Sequence, residues 1–205
     1  MAGAMKDRKD LWSGEFGNKY HKRNGATNLG PRYHWLGNVL ARLEYEPSSI
    51  VEFGCGKGAN LAVLHQLRHK TSLYGVEANA EAAQAASPHC IVSGSDASAT
   101  DFHNDEIDMA ITCGLLIHIP PAGLSGVMQE IHRVTKRYIL CAEYFAPSEE
   151  EVPYRGEAAA LWRRDYGSLW LEQFPALKCP AYGFLWKPVD GLDNLTWWLF
   201  EKIGG

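Results

Sequence analysis

Between the short apolar run Ile50-Val51-Glu52-Phe53 and a helix-forming run from Ala59 to His69, the chain places Gly54, Gly56 and Gly58. Glycines at alternate positions let a backbone pass close to a ligand, and the first turn of the following helix offers unpaired amides. A buried strand that leads into such a loop and then a helix is the opening unit of an α/β fold. Leu61, Leu64 and Leu67 give that helix a core face. The alternation continues downstream. Ser72 to Val76 reads as a second strand, and Asn79 can cap an Ala-rich helix that Pro88 ends. Cys90 to Ser93 is a third strand and Ile107 to Thr112 a fourth. Pro121 opens a helix to about Val134, and Tyr138 to Glu143 is a fifth strand. This order predicts a parallel, doubly wound sheet.

The end of the chain breaks the rhythm. Cys179 to Trp186 and Leu195 to Glu201 are strand-like, and the turn Lys187 to Asn194 between them is too short for a crossover, so the two strands are antiparallel. The adjacent Trp197 and Trp198 must then face opposite sides of the sheet. The predicted fold is a Rossmann-like, seven-stranded, mostly parallel sheet with a C-terminal antiparallel hairpin. At 205 residues the chain suits one domain. Residues 1–45, with a helix from Pro31 carrying Tyr33, Leu36, Leu40 and Leu43, form an N-terminal cap; residues 145–177 form an insertion on the substrate side.

Charge and cysteine content narrow the function classes. A net charge of -4, with no obvious basic face, argues against a polyanionic partner such as nucleic acid. The longest apolar run, Met109 to Ile119, is too short for a bilayer and holds Thr112 and His118. Lys6-Asp7-Arg8-Lys9-Asp10 interrupts any signal-peptide core. Five cysteines, odd in number and widely spaced, form no CxxC pair and no zinc-type cluster, so no metal is expected and reduced thiols in the cytoplasm fit best.

With Ala59, the glycine loop also satisfies the loose dinucleotide pattern GxGxxA, so the glycines leave the ligand open. Glu52 separates the cases: a carboxylate beside the loop opposes a pyrophosphate but attracts an ammonium or a sulfonium. Glu77 ends the second strand, where a carboxylate can accept hydrogen bonds from both ribose hydroxyls. Asp96, in Gly94-Ser95-Asp96-Ala97 after the third strand, can accept from an adenine amino group; alone it would read as a turn-former. Acids after strands one, two and three lie together at the ligand-binding edge of such a sheet.

The order Val51-Glu52-Phe53-Gly54-Cys55-Gly56-Lys57-Gly58, Glu77, Ser95-Asp96-Ala97 and Asp108-Met109-Ala110-Ile111-Thr112 resembles the class I S-adenosylmethionine-dependent methyltransferases over nearly the whole chain. The resemblance implies S-adenosyl-L-methionine as cofactor, with Glu52, Gly54, Cys55, Gly56 and Gly58 along its methionine portion. It further implies Glu77 with Ala78 at the ribose, Asp96 with Ala97 at the adenine, and Cys113-Gly114 beside the sulfonium. More narrowly, Trp12-Ser13-Gly14-Glu15-Phe16-Gly17-Asn18-Lys19-Tyr20, Tyr154-Arg155-Gly156, Trp162-Arg163-Arg164-Asp165-Tyr166-Gly167 and Trp197-Trp198-Leu199-Phe200-Glu201-Lys202 resemble the pseudaminic acid biosynthesis-associated methylases.

Acceptor chemistry belongs beyond strands four and five. His118 reads either as a base, because imidazole titrates near neutrality, or as a histidine packed against the helix at Pro121. Glu143 is a base, a holder of a substrate amine or an acceptor behind the site, and Tyr144 is its neighbour. Tyr20, His21 and Arg23 can form a flap with Arg23 near the cofactor carboxylate, or an exposed basic helix. Tyr154, Arg155, Arg163 and Arg164 can dock a carboxylate or phosphate of a small-molecule acceptor, or pair with Glu149, Glu150 and Glu151. A nicotinamide dehydrogenase and a non-catalytic cofactor-binding module are the competing readings.

Overall fold

The computed structural model describes residues 10–23, 29–154 and 157–203. Seven strands form the main sheet: β1 Ser49–Phe53, β2 Ser72–Val76, β3 Ile91–Ser93, β4 Ile107–Cys113, β5 Thr135–Glu143, β8 Leu177–Leu185 and β9 Leu195–Lys202. Their order is β3-β2-β1-β4-β5-β9-β8. The first five run parallel, and β9 lies antiparallel between β5 and β8. This is the predicted sheet with its terminal hairpin.

Helices α1 Glu15–Arg23 and α2 Leu29–Leu40 precede the sheet; α3 Ala59–Leu67, α4 Ala80–Ala86 and α5 Pro121–Val134 are the crossovers. Each begins where its chemistry allows. The Asn79 side chain accepts from the Ala82 amide (3.0 Å) to cap α4, and α5 opens on Pro121. On one face of the sheet, Leu36 and Val39 of α2 and Leu61 and Leu64 of α3 pack on Ile50, Met109, Ile111, Leu140 and Trp197. On the other, Val127, Met128 and Ile131 of α5 pack on Val51, Phe53, Ala110, Ile139 and Trp198. The tryptophan pair faces opposite sides, as a two-residue strand period requires.

The insertion has its own structure. Strands β6 Glu150–Tyr154 and β7 Glu157–Arg163 pair antiparallel as a separate hairpin, followed by α6 Tyr166–Gln173, which Asp165 caps through the Ser168 amide (3.0 Å). Tyr166 and Trp170 of α6 are fully buried against the sheet. A short helix, α7 Lys187–Asp190, fills part of the turn between β8 and β9. Strand β5 starts at Thr135, three residues before its apolar stretch, where Thr135 pairs with Ile107 of β4, and Arg137 reaches across the sheet to Glu201 (2.8 Å). No helix among the described residues is long and apolar enough to cross a membrane.

Candidate active site

The carboxyl ends of β1 to β4 open on a cavity of about 650 Å³. Its floor is the glycine loop. The Gly54 amide donates to Val76 O (2.8 Å), pinning the loop to the β2 end, and Gly54, Gly56 and Gly58 all have positive φ (68°, 54° and 76°). Only glycine takes three such positions without strain. The Gly56 amide donates to Glu77 Oε2 (2.8 Å), while Glu77 Oε1 accepts from the Asn79 amide (2.8 Å). Glu77 is buried, which pushes its pKa up against the lowering effect of these amides. Gly58 does not line the cavity. A Cβ there would lie 2.9 Å from the Ala86 Cβ, so this glycine seats α3 against α4.

Glu52 lies in the cavity wall and is 2% exposed. Its Oε1 accepts from Asn60 Nδ2 (2.6 Å), and Asn60 Oδ1 accepts from Arg32 Nη1 (2.9 Å). Glu52 Oε2 and Arg32 Nε are buried with no hydrogen-bond partner among the described residues. Burial pushes the Glu52 pKa up to about 7. An orphaned acceptor and an orphaned donor, two residues of opposite charge in one wall, suit the ammonium and carboxylate of an α-amino acid.

Ala78, Asp96 and Ala97 line the far end. Asp96 Oδ1 accepts from the Ser98 amide (2.9 Å) and hydroxyl (2.8 Å), which shapes its turn. Cys55, Cys113 and Gly114 line the middle. Burial pushes the Cys113 thiol up to about 12 and raises Cys55 further, so both stay protonated and neither is a nucleophile. Among the described residues, no cluster of three His, Cys, Asp or Glu is placed to hold a metal.

The N-terminal segment roofs the cavity with Trp12, Tyr20 and His21. Arg23, expected beside them, is exposed and does not line the cavity; it sits at the exposed end of α1. The guanidinium in the wall is that of Arg32, in the first turn of α2. Sequence reading missed it and Asn60, because neither carries a spacing signal of its own.

On the acceptor side, His118 lines the cavity from a one-turn 3-10 helix, Leu116–His118. Its Nδ1 lies 2.7 Å from Ala160 O; a carbonyl only accepts, so the ring proton is on Nδ1 and Nε2 carries the lone pair. Burial pushes its pKa down to about 4, well below the neutral range expected from sequence. The ring packs between Trp12 (4.3 Å between centroids) and Tyr154 (5.4 Å).

Glu143 does not line the cavity. Its Oε1 accepts from the amides of Leu115 (3.2 Å) and Leu116 (3.1 Å), and its Oε2 from Ile117 (3.3 Å). Fully buried, with its pKa pushed up to about 7, it anchors from behind the turn that carries His118. Tyr144 is also off the cavity wall. Its hydroxyl lies 3.5 Å from Asp193 Oδ2, and burial raises its pKa.

Of the residues expected to dock an anion, Arg163 and Arg164 lie off the cavity wall. Arg163 is half-exposed, 4.0 Å from Glu150 and away from the cavity. Arg164 is buried on Glu149 (2.7 Å), Ile119 O (3.1 Å) and the Tyr166 hydroxyl (3.2 Å), bracing the same turn. Tyr154 does not line the cavity but its ring lies against His118, and Arg155 lies outside the described residues. Lys187, paired with Asp193 (2.9 Å) in the β8–β9 turn, lines the cavity with that partner, as does Lys57 of the glycine loop.

Residues 50–138 match a family described as a methyltransferase domain. No curated protein matches the sequence. Among solved structures, the chain is similar to magnesium protoporphyrin IX methyltransferase from Synechocystis PCC 6803 with bound SAM. Identity there is 13%, with 97% of this chain and 96% of that chain covered and a TM-score of 0.70. It is also similar to 1,6-didemethyltoxoflavin-N1-methyltransferase of Burkholderia thailandensis, solved with 1,6-didemethyltoxoflavin and S-adenosylhomocysteine. Here identity is 16%, the coverages are 99% and 85%, and the TM-score is 0.65. A SAM-dependent methyltransferase from Aquifex aeolicus is 13% identical over 90% of this chain and 98% of that one, with a TM-score of 0.67. Residues 50–138 are thus similar to a methyltransferase-domain family, and the chain has the Rossmann-like fold seen in solved S-adenosylmethionine-dependent methyltransferases.

Proposed function

We propose that this protein is an S-adenosylmethionine-dependent methyltransferase acting on a small, anionic or sugar-derived metabolite. The observation that carries the reading is the cavity wall at Glu52 and Arg32. There an unpartnered carboxylate oxygen and an unpartnered guanidinium nitrogen flank the glycine loop, one short span from the Glu77 carboxylate. The two ends match an α-amino acid and a ribose. A carboxylate at Glu52 disfavours the pyrophosphate of a nicotinamide dinucleotide.

When bound, S-adenosylmethionine supplies a methyl group already activated by the sulfonium. In this reading Glu52 and Arg32 hold the amino-acid end, Glu77 accepts from the ribose hydroxyls, and Asp96 with Ala97 receives the adenine. Trp12, Tyr20 and His21 exclude water from above. His118 takes a proton at Nε2 from an acceptor that needs to lose one, and its Nδ1 bond to Ala160 fixes the ring for that task. Residues 1–45 act as the cap, and the insertion over 145–177 shapes the acceptor side through Ala160 and Tyr154. The anionic class rests on Lys187 at the rim. The sugar-derived class rests on the likeness of the Trp12–Tyr20 stretch, now part of the roof, to the pseudaminic acid-associated subgroup.

Titration calorimetry with S-adenosylhomocysteine and, separately, with a reduced nicotinamide dinucleotide tests the cofactor. S-adenosylhomocysteine is expected to bind, and Glu77→Ala to weaken it by about 1–3 kcal/mol through lost charged hydrogen bonds. Binding of the dinucleotide alone would overturn the reading.

A further inference from the structure

Asn79 is fully buried, and its side chain does two jobs at once. Its Oδ1 caps α4 through the Ala82 amide (3.0 Å). Its Nδ2 donates to the Trp12 carbonyl (3.1 Å) and to Asn18 Oδ1 (2.6 Å), both in the N-terminal segment. Asn18 Nδ2 in turn donates to Glu81 Oε1 (2.9 Å) on α4. The backbone of Asn79 donates to Glu77 Oε1, the carboxylate at the ribose position (2.8 Å). One residue therefore touches the roof, the helix behind the cavity and the Glu77 carboxylate.

The roof is shaped for this seat. Gly17 lies against it, where a Cβ would be 3.0 Å from Asn79 Nδ2, and the same Cβ would lie 1.7 Å from the Trp12 carbonyl oxygen within the segment. Seated there, the segment lays His21 over the glycine loop, where a Cβ on Gly56 would be 3.4 Å from the His21 ring. It also sets the Trp12 ring on His118. A roof held this way closes over the cofactor end and completes the His118 wall in the same movement.

We infer that Asn79 is a positioning residue that latches the N-terminal segment over the cofactor, coupling occupancy of the Glu77 end to assembly of the His118 end. The inference rests on the cofactor reading above, but the latch itself rests on the hydrogen bonds alone. It sets an order: cofactor enters while Trp12 and His21 are lifted, and the acceptor meets a finished His118 wall only after they seat.

Asn79→Asp and Asn79→Ser test it, because both keep an oxygen to cap α4 and both remove the Nδ2 donor. Gly17→Ala disturbs the roof from its own side, by distorting the Trp12–Gly17 turn and crowding Asn79, without touching the sheet. Two readouts are needed: hydrogen exchange of the amides in residues 10–23, and the dissociation rate of S-adenosylhomocysteine followed by stopped flow. In the wild type, S-adenosylhomocysteine is expected to slow exchange in residues 10–23. All three variants are expected to abolish that protection and to speed dissociation roughly ten- to a hundredfold, the scale of two lost hydrogen bonds. Exchange in the sheet should not change, which a general loss of stability would not allow. Equal protection and equal dissociation in wild type and variants would overturn the latch. Failure of the wild type to bind S-adenosylhomocysteine would overturn the cofactor reading instead. The latch would then be read from the ligand-free proteins, where Asn79→Asp should still exchange faster in residues 10–23.

Discussion

Glu52 makes cofactor affinity depend on pH in a way that can be worked out beforehand. Burial raises its pKa to about 7, so in the free protein much of it is protonated in mild acid. The amino-acid ammonium, still charged below pH 7.5, pairs with the ionised form, and binding at lower pH must first expel the proton. With a pKa of about 7, only a small fraction is ionised at pH 5.5 and a large one at pH 7. Affinity for S-adenosylhomocysteine should therefore rise roughly tenfold over that interval, on the order of 1–2 kcal/mol. The assay is calorimetry at several pH values, in paired buffers of different ionisation enthalpy that reveal the released proton. Glu52→Gln should bind more weakly at pH 7 and lose this rise, leaving only what Glu77 and His21 contribute. Identical slopes for wild type and Glu52→Gln, or no proton release in mild acid, would refute the pairing.

The same burial bears on other measurements. Glu52 and Glu143 have folded pKa values raised above 4.5, so the folded state holds extra protons between about pH 4.5 and 7; their share of stability is present below that window and lost as pH rises through it. Urea denaturation of the free protein should show this loss, and a rise in their contribution across the window would contradict it. Glu143→Ala strands three amides of the His118 turn and should cost about 2–4 kcal/mol in the same assay. His118→Ala should cut turnover far more than cofactor affinity. Because its pKa is held near 4, the wild-type rate profile should lack a limb near pH 6.5 that His118→Ala removes. Lys187→Gln should raise the acceptor KM with cofactor affinity unchanged, whereas Arg163→Ala should alter neither; the reverse pattern would return the anion dock to the insertion.

What the sequence made legible were features that repeat or that sit at a forced place. The mostly parallel sheet followed from the alternation of strands and helices, and the opposed tryptophans from the strand period. Glu52, Glu77 and Asp96 could be located because the loops after β1, β2 and β3 share one sheet edge. What stayed hidden depends on contacts between distant segments. Arg32 reaches the wall because α2 crosses the sheet near Asn60, whereas Arg23, in the segment that does roof the cavity, points to solvent. Glu143 ends β5 just where a catalytic acid would, yet its partners are backbone amides, which leave no mark in the sequence. Arg163 and Arg164 are neighbours on an extended stretch, so one faces solvent and the other the core; nothing in the residue types said which. Glu150–Tyr154 of the β6–β7 hairpin lacks the near-continuous apolar run of the central strands, so the segment was readable only as an insertion.

Methyl transfer itself is tested most directly by incubating the protein with methyl-labelled S-adenosylmethionine and a low-mass metabolite extract of the source cells, followed by mass spectrometry. The account predicts one labelled small acceptor, anionic or sugar-derived, together with matching S-adenosylhomocysteine, and its disappearance in Glu77→Ala at limiting cofactor. Cofactor binding with no labelled product in any extract would contradict it and leave a binding module. Label confined to protein or nucleic acid, when those are added back, would contradict the acceptor class.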